Sequence, residues 1–367
     1  MMIFLKLLLS GTIISGLIFI AATTSVRNES LCYQPPKYIK PMHYDIKLIS
    51  YIQRNIFYGE YNISILNQTQ HIYLSSVKLC IENIVLFTNL EKHHKNDKDT
   101  IYKPTYNITK DTIDIFFMNE LSPGNYTLNI KYLGTADEGF RIFDVKKKYA
   151  WVGAPHLQII DARPVFPCWH SRDLLLKTTF SISLGCQHCT TLSNMPLRKA
   201  GTDEYDVKWK HFHITPVMWT HHATMIVSNY LSHLDNTIIT MWCRIDTVRH
   251  MEFASNVAKN ITLLFKNTWK RSKNILYMTH VAIPNFHDKG TTVFGLVLYR
   301  ETDIIYDKNV YPIAQKIEVV QLVGRKVTQE WFYDVMNNAS GSDFWFNKGL
   351  ATLLATYAVN EHLLYCV

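Results

Sequence analysis

The apolar positions change period once along this chain. From Tyr38 to about Asp246 they alternate or run in short blocks: "HYDIKLISYI", "GEYNISILN", "HIYLSSVKLCI", "TIDIFFM", "NYTLNIKYLG", "KTTFSISLG". The blocks are rich in Ile, Tyr, Thr and Val, and turn signals such as "SPGN" at Ser122–Asn125 divide them, so they predict strands. Many short strands in series predict an all-β sandwich or saddle. From about Thr247 the period lengthens. Phe253, Val257, Ile261, Leu264 and Phe265 fall on one face of a helix within Glu252–Ser272. "NILYMTHVAIP" then reads as a strand. "VYPIAQKIEVVQLVGRKVTQEWFYDVM" reads as helices, with Pro312 near the start of the first, and "FWFNKGLATLLATYAVNEHLL" as one more.

Length and composition fit this plan. The chain has 367 residues, 47% hydrophobic and 19% charged, which suits two folded domains and argues against disorder. The expected division is 33–246 for the β-rich part and 247–367 for the part that follows, with 1–25 as a targeting segment. Net charge is +8 with His neutral. The cations are scattered and no nucleic-acid motif accompanies them, so the bias points to acidic partners rather than to nucleic acid. "EKHHKNDKD" (Glu91–Asp99) has mixed charge and reads as a solvated loop, its His93 and His94 included.

The first residues, "MMIFLKLLLSGTIISGLIFIAATTS", carry Lys6 and then no charge from Leu7 to Ser25. The apolar core is short for a spanning helix, and Ala21, Ala22 and Thr23 offer cleavage positions, so a cleaved signal peptide is expected. An uncleaved anchor, making a type II plasma-membrane protein, is the alternative, and it is the expected route to the membrane. Seven sequons, at Asn28, Asn62, Asn67, Asn107, Asn125, Asn260 and Asn338, agree with a secreted, glycosylated chain. Seven cysteines leave an odd thiol in an oxidising compartment, with Cys366 the natural candidate for a bridge to a second chain, and so for a dimer. "CQHC" (Cys186–Cys189) has zinc-knuckle spacing with no second pair to complete it, so a hairpin loop or local disulfide is expected.

Several segments in fixed order resemble the zinc aminopeptidase family of aminopeptidase N. They are "PMHYDIKLIS", "GFRIFDV", "DARPVFPCWHSRDLLLKTTFSISL", "LSNMP", "HITPVMWTHHATMIVSNY" and "GLVLYRE". The resemblance runs from about Pro41 onward. It implies a multidomain α+β protein: a β-rich N-terminal domain followed by a thermolysin-like α/β domain, here truncated. The family removes N-terminal residues from peptides with a zinc ion held by HExxH and a Glu 18 residues on. His at i and i+4 share one helix face, a carboxylate from the next helix completes the ligands, and the Glu inside the motif is the general base.

The same register is legible here without gaps. "QEWF" falls on the family's "HQWF", which puts Gln329 and Arg325 at the two His positions and Lys326 at the general base. "FNKGLA" falls on "LNEGFA", which puts Lys348 at the third ligand, with eighteen residues between Gln329 and Lys348. The family's exopeptidase motif falls on "KGTTV", so the Glu that grips a substrate amine is Thr292, followed by Val293. His156 stands where the family has a substrate-contacting Gln.

Guanidinium offers no lone pair, ammonium offers one only when deprotonated, and Gln alone is a weak zinc ligand. The expectation is therefore no catalytic residue, no zinc and no other cofactor. A candidate ligand pocket remains, of His156, Thr292, Val293, Arg325 and Lys348, with Arg325 and Lys348 facing the old metal position and a peptide or protein partner, acidic ones included, as its ligand. Glu330 or Asp343 pairing with these cations is the blander expectation. Two other readings stay open: a working metallo-aminopeptidase rebuilt from His156, His221, His222 or His287, and a non-functional fragment that exposes the apolar face of its last helix.

Overall fold

The computed structural model describes residues 39–67, 71–88, 105–107, 111–117, 120–144, 151–155, 162–169, 177–236, 238–268, 278–332 and 344–364. Residues 1–25, the loop at Glu91–Asp99, Cys32, Cys366, His156, Asp343, Asn28 and Asn338 lie outside them.

The first part is sheet-rich. In chain order its strands are β1 (Lys40–Tyr51), β2 (Ile56–Asn67), β3 (His71–Ser75), β4 (Cys80–Thr88), β5 (Thr105–Asn107), β6 (Thr112–Phe116) and β7 (Gly124–Thr135). They continue with β8 (Phe140–Asp144), β9 (Trp151–Pro155), β10 (Lys177–Cys186), β11 (Thr190–Ser193), β12 (Leu197–Thr202), β13 (Lys208–Phe212), β14 (Met218–Trp219) and β15 (Met225–Ser228). An eight-stranded sheet runs β12-β13-β10-β1-β2-β7-β4, with β14 on β10; β11-β15-β9-β8 and β3-β6-β5 form two smaller sheets. Alternation places Tyr44, Ile46 and Leu48 of β1 inside, and Tyr44 stacks between Tyr61 and Phe180 at centroid distances of 6.1 and 5.3 Å. "HIYLSSVKLCI" is two strands rather than one. A tight turn at 76–79 separates β3 from β4, with Lys78 at φ 55°.

"CQHC" is the tight connection between β10 and β11, and Cys186 and Cys189 are joined by a disulfide. Of the sequons, Asn125 and Asn260 are exposed, while Asn62 is half-buried and accepts a hydrogen bond from Asn129 Nδ2 at 2.8 Å. Asn67 and Asn107 lie in β2 and β5, their side chains outside the description.

The second part is built on a five-stranded sheet in the order β16-β17-β18-β20-β19: β16 (Leu231–Asn236), β17 (Ile239–Arg244), β18 (Met278–Ile283), β19 (Gly290–Val293) and β20 (Leu296–Arg300). β17, β18 and β20 run parallel, and β19 closes the edge antiparallel to β20. Three helices follow this pattern: α1 (Glu252–Thr268), α2 (Ile313–Trp331) and α3 (Phe344–Leu364). Where the sequence suggested more than one helix, α2 is continuous from its N-cap, Pro312, whose fixed φ suits a helix start. Arg244 at the end of β17 forms a two-pronged pair with the buried Glu301, Nε donating to both carboxylate oxygens at 3.0 and 2.7 Å.

Small residues set the helix spacing. A Cβ on Gly324 would lie 2.8 Å from Val359 Cγ2, so its absence lets α2 and α3 approach closely. α3 packs through Ala351, Ala355, Ala358 and Val359. Its outer face exposes Leu353 (66%) and Tyr357 (46%). Among the described residues no helix is long and apolar enough to cross a membrane.

Candidate functional site

Helical periodicity puts Arg325 and Gln329 of α2 on one face, one turn apart. Beside them runs the edge strand β19, its Gly290 and Val293 buried and Thr291 and Thr292 half-buried. Thr292 Oγ1 and Lys326 Nζ both donate to Gln329 Oε1, each at 3.2 Å. The residues at the second-histidine, general-base and exopeptidase-Glu positions are thus one hydrogen-bonded group. The stem of Lys326 fills the space that Gly290 leaves: a Cβ there would lie 2.9 Å from Lys326 Cε.

Lys326 is half-buried, and no described carboxylate forms an ion pair with it. Burial pushes its ammonium down to about 8, Asp288 pulls the other way, and Arg325 and Lys348 push it lower. Arg325 is exposed, and its Nε donates to Gln321 O of the preceding turn at 3.3 Å. Lys348, near the start of α3, is exposed. Both cations therefore act on Lys326 through space, from its own helix and from the next.

One sequence expectation changes. Val293 is 3% exposed and packs with Phe143, Leu192, Phe286 and Leu296, so it belongs to the core and not to the pocket, because alternation along β19 turns it away from Thr292. Glu330, one turn beyond Lys326 on α2, is 1% exposed and accepts the Gly295 N–H at 2.6 Å. The acid near Lys326 is Asp288, which the sequence register did not flag. It stands four residues before Thr292 and only the β19 hairpin brings it near.

The hairpin is fixed from behind. Gly295 has φ 72°, and a Cβ there would meet Asn194 O at 2.0 Å. Asn194, from "LSNMP", donates through Nδ2 to His222 O at 2.8 Å and to Phe294 O at 2.6 Å, and accepts from Thr224 N at 2.7 Å. Under the hairpin, His280 Nδ1 and the Tyr299 hydroxyl are hydrogen-bonded at 3.0 Å. Burial, reinforced by Glu330, pushes the Tyr299 phenol up. Among the described residues no three His, Cys, Asp or Glu come together in a metal-binding group; His156, one of the alternative metal candidates, lies outside them.

The donor chemistry does not fit a zinc ion. Lys326, Gln329 and Arg325 present N–H groups, and the accepting oxygen of Gln329 is already taken by two donors.

Removing the half-buried charge should help the fold. Lys326→Met is expected to raise stability by about 1–2 kcal/mol near pH 7, less than full burial would give because the group is only half-buried. The folded-state value lies below the unfolded one, so the penalty is complete below about 8 and is relieved as pH rises toward about 10. Urea unfolding of both proteins at pH 7 and pH 10 should show the gap closing at the higher pH.

The two successive parts match, in order, two models of one peptidase family. The family model described as Peptidase M1 N-terminal domain matches residues 40–221, and that described as Peptidase family M1 domain matches residues 253–364. The chain belongs to the M1 peptidase family. It is similar to aminopeptidase A of Gloydius brevicauda, 26% identical over 359 residues, covering 94% of this chain and 37% of the relative. It is similar to the thyrotropin-releasing hormone-degrading ectoenzyme of Homo sapiens, 22% identical over 333 residues, with 86% and 30% covered. Aminopeptidase N of Oryctolagus cuniculus is 30% identical over 210 residues, covering 55% and 22%. The chain spans well under half the length of these relatives.

Proposed function

We propose that this chain is a non-catalytic M1 homologue, a glycosylated protein of the secretory route that binds a peptide or protein partner in place of cleaving peptides. The observation that carries this reading is the cluster at Arg325, Lys326, Gln329 and Lys348. All four chemical groups the family needs for metal and base are replaced, three of them by cations, while the helical framework and the eighteen-residue spacing persist. A divalent ion placed there meets repulsion instead of lone pairs. Without a metal-bound water and a carboxylate base, peptide hydrolysis by the family's route has neither nucleophile nor proton acceptor. The sequons and the apolar N-terminal segment support the secretory placement.

The test is hydrolysis of a panel of aminoacyl reporter substrates by the purified chain with added zinc. The reading expects release at the rate of the buffer blank. Release that a chelator abolishes and zinc restores would sink it.

A further inference from the structure

We infer that the cluster around Lys326 binds the carboxylate of an acidic peptide, with Lys326 and Gln329 as its direct donors. This deepens, and rests on, the non-catalytic reading.

Gln329 Oε1 already accepts from Thr292 and Lys326, so the amide must present its two N–H groups, which have no partner among the described residues. Lys326 Nζ spends one of its three hydrogens on Gln329 and keeps two. These two donor groups sit side by side, three positions apart on α2, and a carboxylate offers two oxygens to match them. Arg325 and Lys348 add positive potential from two helices, and among the described residues Asp288 is the acid whose charge is felt at Lys326. Lys326 is half-buried without an ion pair among the described residues, an arrangement that disfavours the empty site and that an arriving anion would relieve. A free amine, the group that the family's exopeptidase Glu recognises, meets the Lys326 ammonium and the Gln329 N–H groups here, with Thr292 in place of that Glu.

The experiment is titration calorimetry on the full secreted chain with two pentapeptides, acetyl-Ala-Ala-Glu-Ala-Ala-amide and its Gln counterpart. The Glu peptide should bind at least tenfold more tightly. Lys326→Met should abolish that preference while the protein unfolds no earlier, so loss of binding is not loss of fold. Arg325→Ala, at an exposed position, should reduce the preference severalfold. Equal binding of the two peptides, binding of neither, or a preference that survives Lys326→Met would overturn the assignment. So would inorganic phosphate competing as well as the Glu peptide, which would give the site to phosphoryl anions. Zinc content and reporter hydrolysis on the same sample separate the two failures: a zinc-loaded, hydrolysing chain defeats the non-catalytic reading, and a metal-free, inert chain without preference defeats only this inference.

Discussion

Replacing Asn194 with Ala is expected to lower stability by about 4 kcal/mol. The side chain is 2% exposed and satisfies three backbone groups at once, His222 O, Phe294 O and Thr224 N. Two of those groups lie in the β-rich part and one in the β19–β20 hairpin, so a single amide joins the two parts at the hairpin that carries Thr292. Truncation removes a bond from each of the three groups, His222 O keeping the Thr224 hydroxyl as a donor at 3.1 Å, and a buried group that loses its partner costs about 1–3 kcal/mol. Asn194→Asp separates this account from a simple packing loss. It keeps the shape but turns a donor into a negative oxygen facing two carbonyls, so it should be no better than Ala near pH 7. Urea midpoints at unchanged slope would measure both, and an Asp variant near wild type would refute the role given to the amide.

A second large effect should appear on acidification. His280 is fully buried on β18, and burial pushes its imidazole down to about 3 from 6.5. The unfolded chain takes up this proton near 6.5 while the folded chain refuses it until about 3, so stability is complete above 6.5 and falls as pH drops through that window. At pH 5 the loss is about 2 kcal/mol from this group. His222, half-buried and held low by desolvation and its cationic neighbours, adds a slope of the same sign. His280→Phe keeps the stack on Tyr299, whose ring lies 5.6 Å away, but cannot titrate. The variant carries a constant cost of about 1–2 kcal/mol for the unpartnered Tyr299 hydroxyl, and its stability should change less between pH 7 and pH 5. Parallel pH profiles for the two proteins would mean that His280 is not the buried base described here.

How far the sequence reveals this molecule depends on the range of the interaction concerned. Strand alternation is local, and β1, β2, β7 and β10 lie where the period-two runs put them. The last helix, Phe344–Leu364, is continuous as its composition suggested. The break between β3 and β4 was harder to see, because Ser75, Ser76 and Val77 continue a plausible strand and only the left-handed Lys78 ends it. At the site, the family register names Arg325, Lys326 and Gln329, which lie on α2, and Lys348, which lies on α3. It assigned Val293 to the pocket because a register gives a position and not a face. The pairing of β19 with β20 decides which way each residue points. Asp288, the space left by Gly290 and the bond from Thr292 to Gln329 depend on a hairpin meeting a helix some forty residues later, and no local pattern encodes that contact.

"LSNMP" shows the reverse case. It was recognised as a string, and its physical reason lies in contacts a hundred residues away: Asn194 bonds Phe294 O, and its own carbonyl sits where a side chain on Gly295 would go. The motif therefore concerns the seating of the hairpin more than the chemistry at its tip.

The central claim is that the metal positions of an M1 framework are held here by groups that do not bind metal. The most direct measurement is zinc per chain in the purified, secreted protein by elemental analysis, after dialysis against buffer with and without added zinc. The account predicts a ratio near zero in both. A ratio close to one that survives dialysis would contradict it, and would require a set of ligands other than Arg325, Gln329 and Lys348.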